Sequence, residues 1–181
     1  MGERRTDSSV PRGPLRELQA WVWSGDRGPV APTLGGAAVW YAERGGHLVF
    51  PLRPGTKLPA TKHGFKDASM NPDTIRAWWS KNPDYNIGLS TGHLFDVIDV
   101  DGDDGISSMV EIEDAGQVPA SIGVVATPRG FHIYIHPTGD GCATAVRPGI
   151  DYRGVGGYVV APPSTVEGVT YRWLDPLDLP M

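Results

Sequence analysis

Two aspartates, Asp99 and Asp101, stand two residues apart at the end of the run Phe95-Asp96-Val97-Ile98-Asp99-Val100-Asp101-Gly102. The apolar, β-branched character of that run predicts a buried strand. Strand alternation then sends both carboxylates to one side while Ile98 and Val100 face the core. Two carboxylates side by side repel each other and are costly to desolvate unless a cation lies between them. A divalent metal ion meets that requirement. The bland alternative is a solvated edge carrying two acids, and the apolar strand in front of the pair argues against it. The neighbouring Asp103 and Asp104 invite a calcium-loop reading, but such a loop needs glycine at its sixth place and glutamate at its twelfth, where this chain has Asp104 and Val110.

Further along, alternation places His132 and Tyr134 on one face of a strand and Phe131, Ile133 and Ile135 on the other. His132 follows Pro128-Arg129-Gly130, a tight turn that brings a backbone amide and a cationic side chain towards it, as an anion site requires. His136, beside Pro137 at the strand end, reads as ordinary packing. Asp151 and Arg153 precede the glycine-rich bend 154–157. As a surface ion pair they would contribute little; as site residues, Asp151 is a third metal carboxylate and Arg153 a phosphate contact. Lys57, in the turn Gly55-Thr56-Lys57-Leu58-Pro59, is ambiguous by itself. No phosphate loop of the Gly-x-x-x-x-Gly-Lys-Ser/Thr type and no Gly-x-Ser-x-Gly elbow is present, which excludes a motor ATPase and a serine-hydrolase nucleophile of those kinds.

These residues need a scaffold. Thr33 caps a predicted helix running to about residue 44 and closed by Gly45-Gly46. Residues 47–52 predict a strand, and Asn71 or Asp73 caps a helix carrying Ile75, Trp78 and Trp79 that stops at Asn82-Pro83. A strand over 86–91 leads into the acidic strand. Residues 105–115 have helical spacing through Ile106, Met109, Val110 and Ile112 and should cross back over the sheet. Residues 121–126 and 131–136 form a hairpin, 158–161 another strand, and 169–173 a closing one. A short helix over 15–23 and a turn-rich break over 25–32 precede all of these. Strands and helices interleave without strict βαβ alternation, which predicts an α/β or α+β fold with mixed strand directions.

Composition narrows the function classes. With 181 residues, 40% of them hydrophobic, the chain has room for a core of its own; the expectation is a polar, flexible leader over 1–14 and one catalytic domain over 15–181. A net charge of -5 rules out a protein coated in basic surface, so any nucleic-acid contact must be local. The single cysteine, Cys142, excludes an intrachain disulfide framework and a cysteine-based zinc cluster and points to a reducing, cytoplasmic setting. No apolar run has the length of a signal core or a bilayer span, so no membrane partner is expected.

In order and spacing the chain resembles the bifunctional primase/polymerase (prim-pol) N-terminal domain of the archaeo-eukaryotic primase superfamily, found in replication proteins of plasmids, phages and mobile elements. The resemblance is carried by Phe50-Pro-Leu-Arg-Pro-Gly-Thr-Lys57, His63-Gly-Phe-Lys-Asp-Ala68, Asn86-Ile-Gly-Leu-Ser-Thr-Gly92, Val97-Ile-Asp99-Val-Asp101-Gly102, Thr127 to His132, and Asp151-Tyr-Arg-Gly-Val-Gly-Gly-Tyr-Val-Val-Ala-Pro-Pro-Ser164. It implies a two-layer core with an RRM-like mixed sheet flanked by helices. It implies further that Asp99, Asp101 and Asp151 bind Mg²⁺ or Mn²⁺, that His132 binds the nucleotide, and that Lys57, Arg129 and Arg153 face the triphosphate or template. The implied partners are single-stranded DNA, ribo- or deoxyribonucleoside triphosphates, and a helicase domain or partner in the natural protein. Two departures stand out: Arg129-Gly130-Phe131 replaces the usual Gly-Gly pair before the histidine, and Cys142 alone cannot build the zinc stem of some relatives. Two rival expectations are a single-stranded nucleic-acid or origin-binding module without catalysis, and a metal-dependent Asp-x-Asp glycosyltransferase.

Overall fold

The computed structural model describes residues 33–175; the expected leader, the helix over 15–23 and the break over 25–32 lie outside them. In the described chain, β3 (Asp96–Asp101) is central to a six-stranded sheet of order β11-β4-β5-β3-β7-β6, built with β4 (Ser121–Ala126), β5 (Gly130–Ile135), β6 (Ala143–Arg147), β7 (Ile150–Arg153) and β11 (Arg172–Asp175). A second sheet pairs β1 (Val49–Leu52), β2 (Asn86–Ser90) and β8 (Tyr158–Ala161). Every pairing within the two sheets is antiparallel, so of the two expected classes the fold is α+β, and the expected mixed pairing directions are not found. Hairpins join β4 to β5 and β6 to β7. However, β3 and β4, both antiparallel to the β5 between them, run parallel to each other, and the helix over 102–114 crosses over the sheet to connect them, as the sequence predicts.

The six-stranded sheet is apolar on both faces, for different partners. Val100, Ile133, Ile135 and Ile150 pack beneath α3 (Gly102–Asp114) with Met109 and Ile112. The helix buries Gly105, Ser108 and Met109, a stripe at helical spacing, and it begins three residues before the predicted start. Val97, Val125, Tyr134 and Trp173 project to the opposite side and join the larger core with Phe50, Leu89 and Val160. The expectation that Ile98 and Val100 face the core is thus half the picture. They face the smaller one, and Asp99 and Asp101 share a face with the larger.

Helix α1 (Leu34–Gly45) starts where the Thr33 hydroxyl accepts the Gly36 N–H at 3.0 Å and ends at Gly46, whose φ of 64° suits glycine. Of the two caps expected for α2 (Pro72–Lys81), Asn71 serves, accepting the Asp73 and Thr74 N–H groups. Trp79 is buried and donates its ring N–H to the Tyr85 carbonyl at 2.9 Å. The strand expected over 47–52 begins only at Val49, and the one expected over 169–173 is broken at Tyr171 into β10 (Val169–Thr170) and β11. Among the described residues no helix is long and apolar enough to cross a membrane.

His47 lies 2% exposed against Phe95 and Tyr41, with neither ring nitrogen hydrogen-bonded among the described residues. Burial pushes its pKa down to about 4. Because the unfolded chain takes up this proton first, stability falls as pH drops from the ordinary histidine value through the depressed one. His47→Leu is therefore expected to be more stable than the wild type, with the gap widening by about 2 kcal/mol between pH 7 and pH 5. Urea denaturation at the two pH values checks this.

Candidate active site

The register of three neighbouring strands assembles the site. Asp99 on β3 stands directly opposite His132 on β5 and directly opposite Asp151 on β7. Opposed residues of antiparallel strands share a face, so an imidazole and two carboxylates form one row across the sheet. Two residues along, Val97 is flanked by Tyr134 and Arg153; two residues in the other direction Asp101 faces Gly130. Asp101 occupies the N-cap position of α3 but makes no capping bond there. Its carboxylate is left to the site.

Each carboxylate has a basic neighbour or a donor. Arg153 Nη2 lies 2.7 Å from Asp151 Oδ2 and 3.4 Å from Asp99 Oδ2, bridging the two. Arg129 Nη2 lies 2.5 Å from Asp101 Oδ2, and the Ala145 N–H donates to Asp151 Oδ1 at 2.8 Å. His132 Nε2 is 3.4 Å from Asp99 Oδ1. That contact is not an ion pair, since burial, with Lys57 and Arg153 next in weight, pushes the His132 pKa down to about 3 and leaves the ring neutral. Asp99 moves the other way: burial first and the Asp101 charge second push its carboxyl up, while Arg153 and Lys57 pull it back.

Two adjacent clefts open over this row. The larger, about 370 Å³, is lined on its polar side by Lys57, Asp99, His132 and Arg153 and elsewhere by Phe65 and Tyr158 among others. The smaller, about 160 Å³, takes in Asp101 and the Thr127–Arg129 turn. Lys57 stands on both. Asp151 lines neither of these two clefts.

The structure thus brings Lys57, Asp99, Asp101, Arg129, His132, Asp151 and Arg153 into one neighbourhood, with one change of role. The turn before His132 does not offer its amides to an anion, because the Arg129 and Gly130 N–H groups point to Thr127 Oγ1. Residues the sequence did not single out also belong here: Tyr158 and Phe65, whose rings stack with centroids 6.3 Å apart, and Tyr171. Their only signal was aromatic character.

Among the described residues no three histidine, cysteine, aspartate or glutamate side chains are already grouped to hold an ion. The donor set nevertheless suits one. Carboxylate oxygens are the ligands Mg²⁺ and Mn²⁺ favour, and Asp99 and Asp151 converge on the single nitrogen Arg153 Nη2, so one cation can reach both. The Asp99 carboxyl is raised by burial first and by the Asp101 charge second, both costs that a bound cation would relieve.

Comparison with known proteins gives a family for the chain. No curated protein matches the chain. The family model described as bifunctional DNA primase/polymerase, N-terminal, matches residues 38–181, a span that includes every residue of the acidic row and of the clefts. The chain therefore belongs to the Prim-Pol family of bifunctional DNA primase/polymerase N-terminal domains, nucleotidyltransferases of the primase and polymerase type.

Proposed function

We propose that this chain synthesises and extends primers on single-stranded DNA, joining nucleoside triphosphates by attack of a 3′-hydroxyl on an α-phosphate with loss of pyrophosphate. The observation that carries this reading is the row His132, Asp99, Asp151 across three adjacent strands, with Asp101 two residues along. In it, Asp99, Asp101 and Asp151 hold Mg²⁺ or Mn²⁺, and such ions lower the pKa of the attacking hydroxyl and neutralise the leaving oxygens. His132, neutral and buried, presents an N–H to a phosphate oxygen. Lys57, standing on both clefts, balances triphosphate charge, and the exposed Arg129 is placed to follow the template or the leaving group. Arg153 keeps Asp99 and Asp151 from repelling one another and has the length to turn to the triphosphate. A non-catalytic single-stranded DNA binder would share the cations but has no use for an acid held desolvated at Asp99. A glycosyltransferase is disfavoured by the family.

Labelled-nucleotide incorporation on defined single-stranded templates, primed and unprimed, with either nucleotide set and either metal, tests the proposal. Incorporation is expected to need the metal and to fall by about 10²-fold or more in Asp101→Ala and in His132→Ala. Undiminished activity in both variants would end the reading, and template binding without any incorporation would favour the binding module.

A further inference from the structure

β9 (Thr165–Val166) and β10 form a short hairpin whose turn residues Glu167 and Gly168 both have positive φ, 52° and 80°, as a tight two-residue hairpin turn requires. The hairpin delivers Tyr171, whose N–H is held by the Ser164 carbonyl at 2.8 Å. The ring is fully buried, its centroid 5.6 Å from that of His132. Its hydroxyl has no hydrogen-bond partner among the described residues. The contrast with Tyr41 is plain: that phenol donates to the Pro162 carbonyl and accepts from Trp173 Nε1, both at 2.9 Å. A buried hydroxyl left unpaired costs about 1–3 kcal/mol, and phenylalanine would avoid the cost. Tyr134 also carries an unpaired hydroxyl, but only Tyr171 lines the cleft shared by Lys57, Asp99, His132 and Arg153.

We propose that Tyr171 is a nucleotide-binding residue, its phenol donating a hydrogen bond to a phosphate oxygen of the triphosphate seated beside His132. The inference rests on the nucleotidyl-transfer reading and deepens it. A polyphosphate is the ligand that matches a cleft carrying Lys57 and Arg153 next to His132, whose Nδ1 also lacks a partner. Lys57 supplies charge with little direction and the Arg153 guanidinium is engaged by Asp99 and Asp151, whereas a phenol fixed by packing supplies one directed donor.

Calorimetric binding of a non-hydrolysable deoxynucleoside triphosphate and of inorganic tripolyphosphate, each with Mn²⁺, is to be compared in wild type and Tyr171→Phe, together with their melting temperatures. The expected result is affinity about tenfold or more weaker for both ligands, with a melting temperature equal to or above that of the wild type. Unchanged affinity overturns the proposal. So does a loss confined to the nucleotide, which would move the contact to sugar or base, and so does a lowered melting temperature, which would make the hydroxyl a structural one. Wild-type protein that binds neither ligand sinks the nucleotidyl-transfer reading along with this contact, whereas wild-type binding undiminished in the variant sinks the contact alone.

Discussion

Asp99→Asn is expected to lower nucleotide incorporation on the order of 10³-fold while leaving the protein at least as stable as the wild type at neutral pH. The two effects have one cause. Asp99 is 8% exposed and its carboxyl is pushed up by burial and by Asp101. A carboxyl whose folded pKa is raised stabilises the fold below its unfolded pKa, and that contribution is lost as pH rises through the folded value. At pH 7 the ionised side chain is therefore a cost to the fold, and asparagine, similar in shape and uncharged, is free of it. Stability kept or gained as function is lost marks a residue held for its charge. A second readout separates this from simple damage: Mg²⁺ or Mn²⁺ should raise the melting temperature of the wild type by linkage and leave that of Asp99→Asn nearly unchanged. A variant that melts lower yet still incorporates nucleotide would contradict the account.

Gly130→Ala is expected to cost about 2–4 kcal/mol of stability and to lower activity with it. Gly130 faces Asp101 in the β3–β5 register, and a Cβ built there runs into the Val100 carbonyl oxygen, which is backbone and cannot rotate away. The strands must part at the pair that positions Asp101 and leads into Arg129. Gly130 thus makes the close approach that lets β5 bring His132 against Asp99, and it does so without a second glycine before the histidine. Urea denaturation gives the stability loss, and incorporation measured well below the transition shows whether Asp101 has moved. A fully stable Gly130→Ala protein would mean that β3 and β5 are not so close.

How much of this was legible in the sequence depended on whether the signal was local. Asp99 and Asp101 could be read because period-two alternation fixes two carboxylates on one side of a strand whatever the rest of the chain does. His132 could be placed on its face for the same reason. The helix ends at Thr33, Gly46 and Asn71 follow from chemistry within four residues of each boundary. Asp151 was harder. Its strand β7 has four residues, and its neighbour β6 is exposed along its whole length, so neither shows an alternation that would reveal a strand or its register. That Asp151 lies opposite Asp99 is a property of pairing across more than 50 residues, which only the family resemblance suggested in advance. Tyr171 was hidden inside an apparently continuous strand because the break at that residue comes from the hairpin preceding it. The crossover of α3 was foreseen, but the strand directions were misjudged, because α3 carries the chain past one strand position to β4 and β5 then returns by a hairpin into the gap, so parallel strands are never paired neighbours.

In the proposed function, acids from β3 and β7 act on one cation site although they are distant in sequence. Mn²⁺ binding followed by electron paramagnetic resonance in wild type and Asp151→Ala tests it most directly, because Asp151 is the member contributed by a separate strand. Mn²⁺ affinity at least about tenfold weaker in Asp151→Ala than in the wild type, with incorporation falling alongside, is the predicted result. Mn²⁺ bound equally by both proteins, with incorporation intact in the variant, would contradict it.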